Sequence, residues 1–474
     1  MTTLTIDIGT TSTKLILFDH NLNQLALVKK DYQTTLSDGG FAEQDPEQIF
    51  TAIHTGLEEV LTDQSLTISE IVFSSAMHSL LGIDPAGNPL TPLIIWSDNR
   101  ADKQIDHFKQ QPEAMKFFAK TGTPIHPMSP FAKLLWFKEE SNLTGHVAKW
   151  IGIKEFIWYR LTGRYQVDFS IASATGLFNS ERLDWDDAIL TRVGLTRSQL
   201  SEPVDVTYSC PVENDFLLKI NGIDRETTLV IGGSDGCLAN LASVVTGDQI
   251  ANLTIGTSGA IRLTTDVRVI DPEGRLFCYY LRPGEWVLGG AVNNGGNVLT
   301  WLDQLLFEKS GRLFEVLETI DFDGGNDLLF LPHIHGERAP FWNSHLTGEW
   351  IGLTAADQKE DLIEVATEGI LFNLYDVFNL LSESTGRIEA LTVSGGFFQN
   401  EKIIQLVANL FGLPIHLNQT IEQSSLGAAM LVHYPEVVDR TTLKRTYYPV
   451  DQQHEYYQKK YQKYQQVLQK KDND

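Results

Sequence analysis

Apolar and polar residues along this chain form short blocks that are separated by glycine-containing turns. The first block, TLTIDI at 3–8, precedes a Gly-Thr-Thr turn and a second apolar run, LILF at 15–18. Short runs that are rich in β-branched residues and flank a turn predict a β-hairpin. This hairpin carries Asp7 at the end of its first predicted strand and two threonines in its turn. A plain hairpin turn requires neither a carboxylate nor two hydroxyl groups.

The same pattern returns near the middle of the chain. Residues 253–263 read LTIGTSGAIRL, which parallels LTIDIGTTSTKLIL at 4–17. Each stretch has a strand, a Gly-Thr pair with a further hydroxyl residue, and a second strand. One interpretation is coincidence, because glycine and threonine are common in turns. The other is an internal duplication, in which two similar domains face one another and each offers a backbone-rich turn to one ligand.

Three more apolar runs end in paired glycines. They are TLVI before IGGSDG at 231–236, GGAVNNGGNVLTWL at 289–302 and LTVSGGFFQN at 391–400. Strand, glycine-rich turn and helix, in this order, predict an α/β protein that offers backbone amides and a helix N-terminus to a nucleotide.

Helical spacing of apolar residues appears in two places near the C-terminus. One stretch runs from Ile403 to Phe411, directly after the last glycine pair. In the other, at 452–471, aromatic and aliphatic residues recur at the period of one helix face: Tyr457, Tyr461, Tyr464 and Leu468. The second pattern predicts a terminal helix that packs on one face.

Length, charge and cysteine content narrow the function classes. A chain of 474 residues is too long for one ordinary core, so we expect two or three domains. Its net charge of −24 argues against nucleic acid and anionic membranes as partners. No apolar run reaches the roughly 18 residues that span a bilayer, and we expect no secretory signal. The three cysteines form no CxxC pair and suit a reducing cytosol.

The residue types in the two turns suit a metal-bound phosphate. Glycines allow backbone amides to approach phosphate oxygens closely, and Thr10, Thr11, Thr257 and Ser258 add hydroxyl donors. An ionised Asp7 would repel a naked phosphate, so its presence favours a magnesium ion or its waters between the two. Neither turn has the GxxxxGK[ST] spacing of a Walker A loop.

In combination, these motifs resemble the FGGY carbohydrate kinases, which belong to the actin, Hsp70 and hexokinase fold group. The most specific match is MSPFAKLLWFKEE at 128–140, which resembles the first signature of that family. The motifs IDIGTT, GGSDG, TIGTSG, GGNVLTWL and SGGFFQN occur in the family's order. The second signature begins normally with GEWIGL at 348–353, but its closing VATEG departs from the usual residues.

The resemblance implies an α/β fold of two ribonuclease H-like (actin/hexokinase-type) domains with an interdomain catalytic cleft. Residues 1–246 would form the N-terminal, sugar-binding domain, and residues 247–474 the C-terminal, ATP-binding domain. The implied partners are ATP with Mg²⁺ and a small sugar acid, with no nucleic acid and no membrane. Since dimers are common in the family, a homodimer is a further expectation.

Roles on the nucleotide side follow from the same resemblance. Asp7 would hold Mg²⁺ through water. The implied contacts to the β- and γ-phosphates come from Thr10, Thr11, Lys14 and Thr257. The implied border of the adenosine site consists of Gly296, Thr300, Gly396 and Asn400. Lys14 stands where glycerol kinases of this family carry arginine.

On the sugar side, the resemblance implies a pocket lined by Met77, His78, Ser79, His126, Met128 and Asp235. Asp235 stands where the family has its catalytic base. Within the family, the likeness is greatest to gluconate kinases, in SSAMHSLLGID (74–84), IIWSDNRA (94–101) and TGTPIHPMSPF (121–131). The implied reaction transfers the γ-phosphoryl group of ATP to the C6 hydroxyl of D-gluconate. Because Lys133 and Arg100 are shared with relatives that bind neutral sugars, the remaining candidates for the substrate carboxylate are His78, Ser79 and His126. We expect His126 or its adjoining backbone to contact the carboxylate, and His78 to contact the middle hydroxyls.

Simpler interpretations exist for several of these residues. Asp235 could be an ordinary Asx-turn residue, His78 a packed histidine at a strand end, and His126 a residue that fixes its loop. Trp96, Asp98 and Arg100 could form an ion pair and a packed indole instead of bracing a sugar pocket. The pair His333 and His335 lacks an evident third ligand, and we assign no metal there.

Two other functions remain open from the sequence. One is a kinase of the same family that acts on a pentulose such as xylulose, or on a polyol. The other is a non-kinase ATPase of the actin or chaperone type. The sugar-side motifs argue against the second, because such proteins have no reason to carry MSPFAKLLW together with GGSDG.

Overall fold

The computed structural model of the chain describes residues 2–62, 66–141, 143, 146–243, 249–325, 327–418, 422–433 and 443–471. The first strands are β1 Thr3–Ile8, β2 Ser12–Phe18, β3 Gln24–Asp31, β4 Thr35–Ser37, β5 Phe41–Gln44, β6 Glu70–Ser75, β7 Leu81–Ile83, β8 Leu93–Ile94, β9 Lys149–Ile151, β10 Gln166–Asp168, β11 Phe178–Asn179, β12 Asp184–Trp185, β13 Glu202–Val204, β14 Ser209–Pro211 and β15 Thr228–Ser234. The later strands are β16 Ile250–Ile255, β17 Gly259–Thr265, β18 Phe277–Arg282, β19 Glu285–Val292, β20 Leu329–Leu331, β21 Glu349–Ile351, β22 Ala390–Ser394, β23 Ile415–Asn418 and β24 Leu443–Tyr447.

The helices alternate with these strands. They are α1 Pro46–Val60, α2 Asp102–Lys109, α3 Ala114–Thr121, α4 Pro130–Glu140, α5 Ile153–Thr162, α6 Phe169–Ser173, α7 Asp187–Val193, α8 Asp235–Ser243, α9 Gly296–Phe307, α10 Arg312–Thr319, α11 Lys359–Thr385, α12 Glu401–Phe411, α13 Gln423–His433 and α14 Asp451–Lys471. Among the helices of the described residues, none combines the length and the apolar character that a bilayer crossing requires.

The chain divides into two compact units that are discontinuous in sequence. The first unit contains Met1–Ala242, Thr265–Val287 and Glu422–Arg440. The second contains Ser243–Thr264, Leu288–Ile421 and Thr441–Asp474. The predicted domain boundary at 246/247 lies outside the described residues.

The main sheet of the first unit has the strand order β14-β15-β6-β1-β2-β3. Strands β1 and β2 form the predicted hairpin, in which Asp7 is paired with Lys14 across the antiparallel register. Strand β6 runs parallel to β1 and brings Ser74 beside Asp7. Because every residue of β1 is buried, both faces of the sheet are covered at this strand, as is usual for parallel pairing.

The sheet of the second unit repeats this arrangement. Its strands follow the order β19-β17-β16-β22-β23-β24. The second predicted hairpin is formed by β16 and β17, and β22 runs parallel to β16. In both units the first strand therefore lies between its hairpin partner and a parallel strand, a correspondence that favours internal duplication over coincidence.

Sequence patterns near the C-terminus are confirmed. Helix α12 coincides with the predicted helical stretch, and its N-cap is Asn400, whose side chain accepts a hydrogen bond from the Lys402 amide. Helix α14 buries Tyr457, Tyr464 and Leu468 on one face, as their spacing predicts.

The prediction of a glycine turn after TLVI is wrong in one respect. Strand β15 does not end at the glycine pair but continues through Gly232 and Gly233 to Ser234. A bulge lies between Val230 and Gly233, and pairing with β6 resumes at Gly233. Gly232 has a φ of +67°, and a Cβ there would lie 1.7 Å from the Phe73 carbonyl oxygen, so the strand approaches its neighbour too closely for a side chain.

Candidate active site

The first hairpin turn, Gly9 to Thr11, is held by contacts to its backbone and hydroxyl. The Gly9 amide donates to the Ser12 carbonyl at 3.0 Å. The Gln44 side chain donates to the Thr10 carbonyl at 2.6 Å, and the Trp96 indole donates to the Thr10 hydroxyl oxygen at 3.0 Å. Thr11 is exposed. The turn is therefore fixed in shape while part of it stays accessible.

Asp7 is the buried carboxylate beneath this turn. Its two oxygens accept hydrogen bonds from the Ser74 hydroxyl at 2.6 Å and the Ser424 hydroxyl at 2.8 Å. Burial raises the pKa of Asp7, although the two serines and Lys14 oppose that effect. One carboxylate with hydroxyl neighbours is a hard, oxygen-only donor set. It cannot cage a metal ion by itself, but it fits Mg²⁺ that arrives with phosphate oxygens and waters of its own.

Lys14 lies beside Asp7 because the two residues are cross-strand partners. Its ammonium group forms an ion pair with Glu422, which precedes α13. Lys14 is predicted to contact a phosphate, and in this structure its charge is balanced by that carboxylate. Glu422 and Ser424 were not predicted, since they are separated from β1 by most of the chain.

In the second unit, all five residues predicted for the nucleotide line one cavity of about 740 Å³. These residues are Thr257, Gly296, Thr300, Gly396 and Asn400. The cavity also has apolar and aromatic walls, contributed by Leu299, Trp301, Phe314, Leu317, Phe397 and Ile403. An apolar slot with a few polar groups suits a flat heteroaromatic ring that carries a polar substituent.

The second turn and α9 are joined by their backbones. The Gly296 amide donates to the Gly256 carbonyl at 2.8 Å, and the Asn297 amide donates to the Thr257 carbonyl at 3.0 Å. A Cβ at Gly296 would lie 2.7 Å from the Gly256 oxygen, so this close approach requires glycine. Two of the first amides of α9 are thus bonded to the turn, and the Thr257 side chain, the predicted phosphate donor, lies in this wall of the cavity.

On the sugar side, Lys133 ties two predicted segments together within the first unit. Its buried ammonium group donates to the His78 carbonyl at 3.0 Å and to the Met128 carbonyl. Burial lowers the pKa of Lys133 to about 7. His78 has a φ of +68°, an uncommon conformation for a residue with a side chain, which the Lys133 contact helps to hold. Lys133 therefore has a structural role.

The two histidines on this side have opposite hydrogen-bonding patterns. The Nδ1 atom of His78 lies 2.7 Å from the Ala174 carbonyl oxygen, so Nδ1 carries the proton. The Nδ1 atom of His126 accepts the Met128 amide proton at 3.2 Å, so the neutral ring carries its proton on Nε2. In their neutral forms, the Nε2 atom of His78 is an acceptor and that of His126 is a donor.

Other predicted residues near these segments have structural partners. The Ser79 hydroxyl oxygen accepts the Ile153 amide at the start of α5, at 3.0 Å. Met77 packs against an apolar cluster of the first unit. Arg100 donates twice to Asp98 at 2.8 Å and also pairs with Glu43. Arg100 and Asp98 therefore form the predicted ion pair, but in the interior and not at the surface, and bracing of the sugar pocket by these residues stays a prediction.

Asp235 is the first residue of α8 and is half-buried. One of its carboxylate oxygens accepts the Gly236 amide at 2.7 Å. The preceding residue, Ser234, bonds through its hydroxyl to the Ser170 hydroxyl at 2.9 Å. The start of α8 is thus connected to α6.

Helix α6 and the two residues after it are a feature that sequence reasoning missed. The Ser173 carbonyl accepts the Thr123 hydroxyl at 2.7 Å, and the Thr175 carbonyl accepts the Phe131 amide at 3.0 Å. The Ala174 carbonyl also contacts His78, and the Ser170 hydroxyl contacts Ser234. This one segment therefore supports the stretches 74–84, 121–131 and 231–236, which carry the residues predicted for the sugar. The run SIASAT was the available signal, since small residues permit close packing of backbones.

Profiles of known families match both halves of the chain. The N-terminal domain of the FGGY family of carbohydrate kinases matches residues 2–242, and its C-terminal domain matches residues 251–434. The gluconokinase of Bacillus subtilis (strain 168) is 41% identical over 449 residues, covering 91% of this chain and 87% of that protein. The xylulose kinase of Lactococcus lactis subsp. lactis is 29% identical, with coverages of 91% and 87%.

Two solved structures from Lactobacillus acidophilus are similar along almost their whole length. A ligand-bound xylulose kinase gives a TM-score of 0.93 at 34% identity, covering 98% of this chain and 97% of that one. A gluconate kinase gives 0.92 at 35% identity with the same coverages. These matches confirm the resemblance and the actin- and hexokinase-like α/β fold class that the sequence predicts. The chain belongs to the FGGY family of carbohydrate kinases, and it is therefore a phosphotransferase that uses ATP.

Proposed function

We propose that this protein phosphorylates D-gluconate to 6-phospho-D-gluconate, with MgATP as the phosphoryl donor. The observation that carries this proposal is the gap in identity between curated relatives. The Bacillus subtilis gluconokinase shares 41% of the aligned residues, whereas the Lactococcus lactis xylulose kinase shares 29% over a similar length.

In the proposed reaction, Asp235 accepts the proton of the C6 hydroxyl group. The C6 oxygen forms a bond to the γ-phosphorus while the bond from that phosphorus to the β–γ bridging oxygen breaks, which releases ADP. Alignment and charge stabilisation are the main demands of such a transfer. Asp7 would hold the magnesium of MgATP through water, and Thr10, Thr11, Lys14 and Thr257 would contact the phosphates.

Substrate selection is proposed to rest on the two histidines. Gluconate carries a carboxylate that a selective site must pair, because burial of an unpaired charge is costly. A neutral His126 offers a proton on Nε2, which suits a carboxylate oxygen. A neutral His78 offers a lone pair on Nε2, which suits the proton of a sugar hydroxyl. This difference supports His126 as the carboxylate contact and His78 as the contact for the middle hydroxyls.

Xylulose kinase activity is the second candidate. The two structures from Lactobacillus acidophilus favour neither substrate, since they match with TM-scores of 0.93 and 0.92 at 34% and 35% identity. Kinases of either name therefore have this fold, and the choice between gluconate and xylulose as substrate depends on a few side chains in the sugar pocket.

The experiment is a coupled ADP-release assay with gluconate, xylulose, ribulose and glycerol, carried out on the wild type and on His126→Ala. We expect gluconate to give the highest kcat/KM. Because a hydrogen bond to a charged group contributes about 1.5–3 kcal/mol, His126→Ala should raise the KM for gluconate roughly tenfold to a hundredfold. The KM for any neutral pentulose still accepted should change much less.

Two outcomes decide against parts of this proposal. Equal losses for gluconate and for the neutral sugars would mean that His126 only shapes its loop. Faster phosphorylation of xylulose than of gluconate by the wild type would make the second candidate the correct function. Sugar binding by residues 1–246, ATP binding by 247–474, an interdomain catalytic cleft, a homodimer and a cytosolic location stay predictions, the last resting on the cysteine content of the sequence.

A further inference from the structure

We propose that Lys154, together with Asp168, is a positioning pair that fixes Asp235 for proton transfer. This inference deepens the proposed function and rests on it. Lys154 belongs to α5 and contacts the end of the strand that leads into Asp235. It was not among the residues predicted from the sequence.

The first step of the argument is the contact between Lys154 and β15. The Lys154 ammonium group donates to the Gly233 carbonyl at 3.1 Å, two residues before Asp235. Gly233 and Ser234 follow the bulge that begins after Val230, and their pairing with β6 resumes opposite Ser74 and Ser75. Because a bulge bends its strand, contacts beyond the bulge help to fix the direction of the strand. Lys154 supplies such a contact at Gly233, near the end of the strand and two residues before the proposed base.

The second step is the role of Asp168, which joins two supports of this strand. One of its oxygens lies 2.5 Å from the Lys154 ammonium group, and the other accepts the Ile171 amide at 2.9 Å as the N-cap of α6. Helix α6 in turn bonds through Ser170 to Ser234. A single carboxylate thus connects the lysine that holds Gly233 with the helix that holds Ser234.

The third step concerns the energetic cost of this ion pair. The side chain of Lys154 is 2% exposed and that of Asp168 is fully buried. Burial lowers the pKa of Lys154 and raises that of Asp168, so desolvation works against both charges. Apolar residues of similar volume are often as stabilising as a buried ion pair, or more so. Stability alone therefore does not explain a charged pair at this place.

The fourth step is the charge that Lys154 presents to Asp235. Three carboxyl groups act on the Lys154 ammonium group: Asp168 at the end of β10, Glu155 on α5 and Asp235 on α8. Burial raises the pKa of Glu155 to about 7, so that carboxyl is partly protonated near neutral pH. The Lys154 cation favours the ionised form of Asp235, which is the form that can accept a proton.

The test compares Lys154→Met with the double variant Lys154→Met/Asp168→Asn. The double variant removes both charges of the ion pair, so neither partner stays buried without the other, and it should fold even if the single variant does not. We expect kcat to fall roughly tenfold to a hundredfold in both, as for other residues that orient a reacting group. We also expect the acid limb of the pH profile of kcat/KM to move up by about one pH unit. The KM for MgATP should stay within about twofold, because the lost contacts lie on the sugar side.

A matched control comes from the second unit, where Lys460 and Glu368 form another buried ion pair. The variant Lys460→Met/Glu368→Gln removes a pair of the same kind far along the chain, and it should keep the wild-type acid limb. Wild-type kcat and an unmoved acid limb in Lys154→Met/Asp168→Asn, with Asp235→Asn impaired, would overturn this proposal alone. Near-normal turnover of Asp235→Asn would overturn the proposed base and this proposal together.

Discussion

The two hairpin turns of this protein share their construction and differ in charge. Each separates its strands by three residues that begin with Gly-Thr, and each first glycine amide donates across the turn, at 3.0 Å and 2.9 Å. The residue two positions before that glycine is paired with a serine of the parallel strand in both cases. In the first unit this pair is Asp7 and Ser74, at 2.6 Å, and in the second it is Thr254 and Ser394, at 3.1 Å.

This difference teaches how one scaffold can serve two purposes. Asp7, the Lys14–Glu422 pair and Asp235 bring ionisable groups to the predicted site residues of the first unit. The predicted residues of the second unit, none of which is ionisable, instead line a cavity with apolar and aromatic walls, to which Lys309, Glu318 and His335 also contribute. The first turn therefore lies beside a buried carboxylate, and the second lies in the wall of a cavity, which is the contrast that the proposed roles of the two turns rest on.

The largest expected effect concerns Asp235, the proposed catalytic base in the first unit. Asp235→Asn preserves the size of the side chain and removes its ability to accept a proton. Turnover should fall by about 10²–10⁴-fold, the usual contribution of a positioned general base. Steady-state kinetics at saturating substrates measure the effect, and calorimetry should find ATP and sugar binding preserved. A variant with near-normal turnover would place the chemistry elsewhere.

A matched pair of substitutions tests the hairpins directly. Asp7→Asn removes the carboxylate of the first turn but keeps an acceptor for one serine, and Thr254→Val changes the register-equivalent residue of the second. Loss of a contact to a charged group should lower kcat/KM for MgATP roughly tenfold to a hundredfold in Asp7→Asn. Thr254→Val should cost less than about threefold, since no charge is lost. Similar losses in both variants would show that the two positions matter only for packing.

Much of the fold could be predicted because it depends on local patterns. Both hairpins, α12 and the buried face of α14 follow from the spacing of apolar residues and from the glycines. The five residues of the second unit that are predicted to contact the nucleotide come from the family motifs, and the structure gathers them around one cavity; their role stays a prediction.

The remainder could not be predicted because it depends on contacts between distant segments. Ser424 bonds to Asp7 across 417 positions, and no local pattern near either residue indicates that contact. Lys154 lies on a helix whose sequence predicts only burial. The glycine pair of β15 was interpreted as a turn because a bulge and a turn use the same residue types.

A smaller effect is expected from the hydroxyl of the second turn. Thr257→Val keeps the shape of the side chain and removes one neutral donor in the cavity wall. A neutral hydrogen bond contributes about 0.5–1.5 kcal/mol, so the KM for MgATP should rise roughly twofold to tenfold. The KM for the sugar should change less. Unchanged nucleotide affinity in calorimetry, together with unchanged turnover, would show that this turn does not contact phosphate.

The smallest expected effect concerns Asp376, a buried carboxyl group of the second unit that lies between α11 and α14. Asp376 accepts hydrogen bonds from Tyr461 and Gln465 of α14. Burial raises the pKa of Asp376 to about 7, against about 3.9 in an unfolded chain. A carboxyl whose pKa is higher in the folded state contributes stability that is complete below about pH 4 and is lost as the pH rises through about 7.

Asp376→Asn is neutral at every pH and keeps an acceptor for Tyr461, so it isolates this titration. The melting temperature of the variant minus that of the wild type should increase between pH 5 and pH 8, because only the wild type must bury a negative charge at the higher pH. Circular dichroism melts at each pH measure this difference. Asp327→Asn is the matched control, since Asp327 pairs with Lys463 of α14 while 93% exposed. The difference in melting temperature between this control and the wild type should not increase with pH.

Turnover of Asp376→Asn should stay at the wild-type level, because Asp376 supports helix α14 and does not belong to the predicted site. Parallel pH profiles for Asp376→Asn and the wild type would show that Asp376 does not titrate with a raised pKa in the folded protein, and a marked loss of turnover would show that this carboxyl acts on the site.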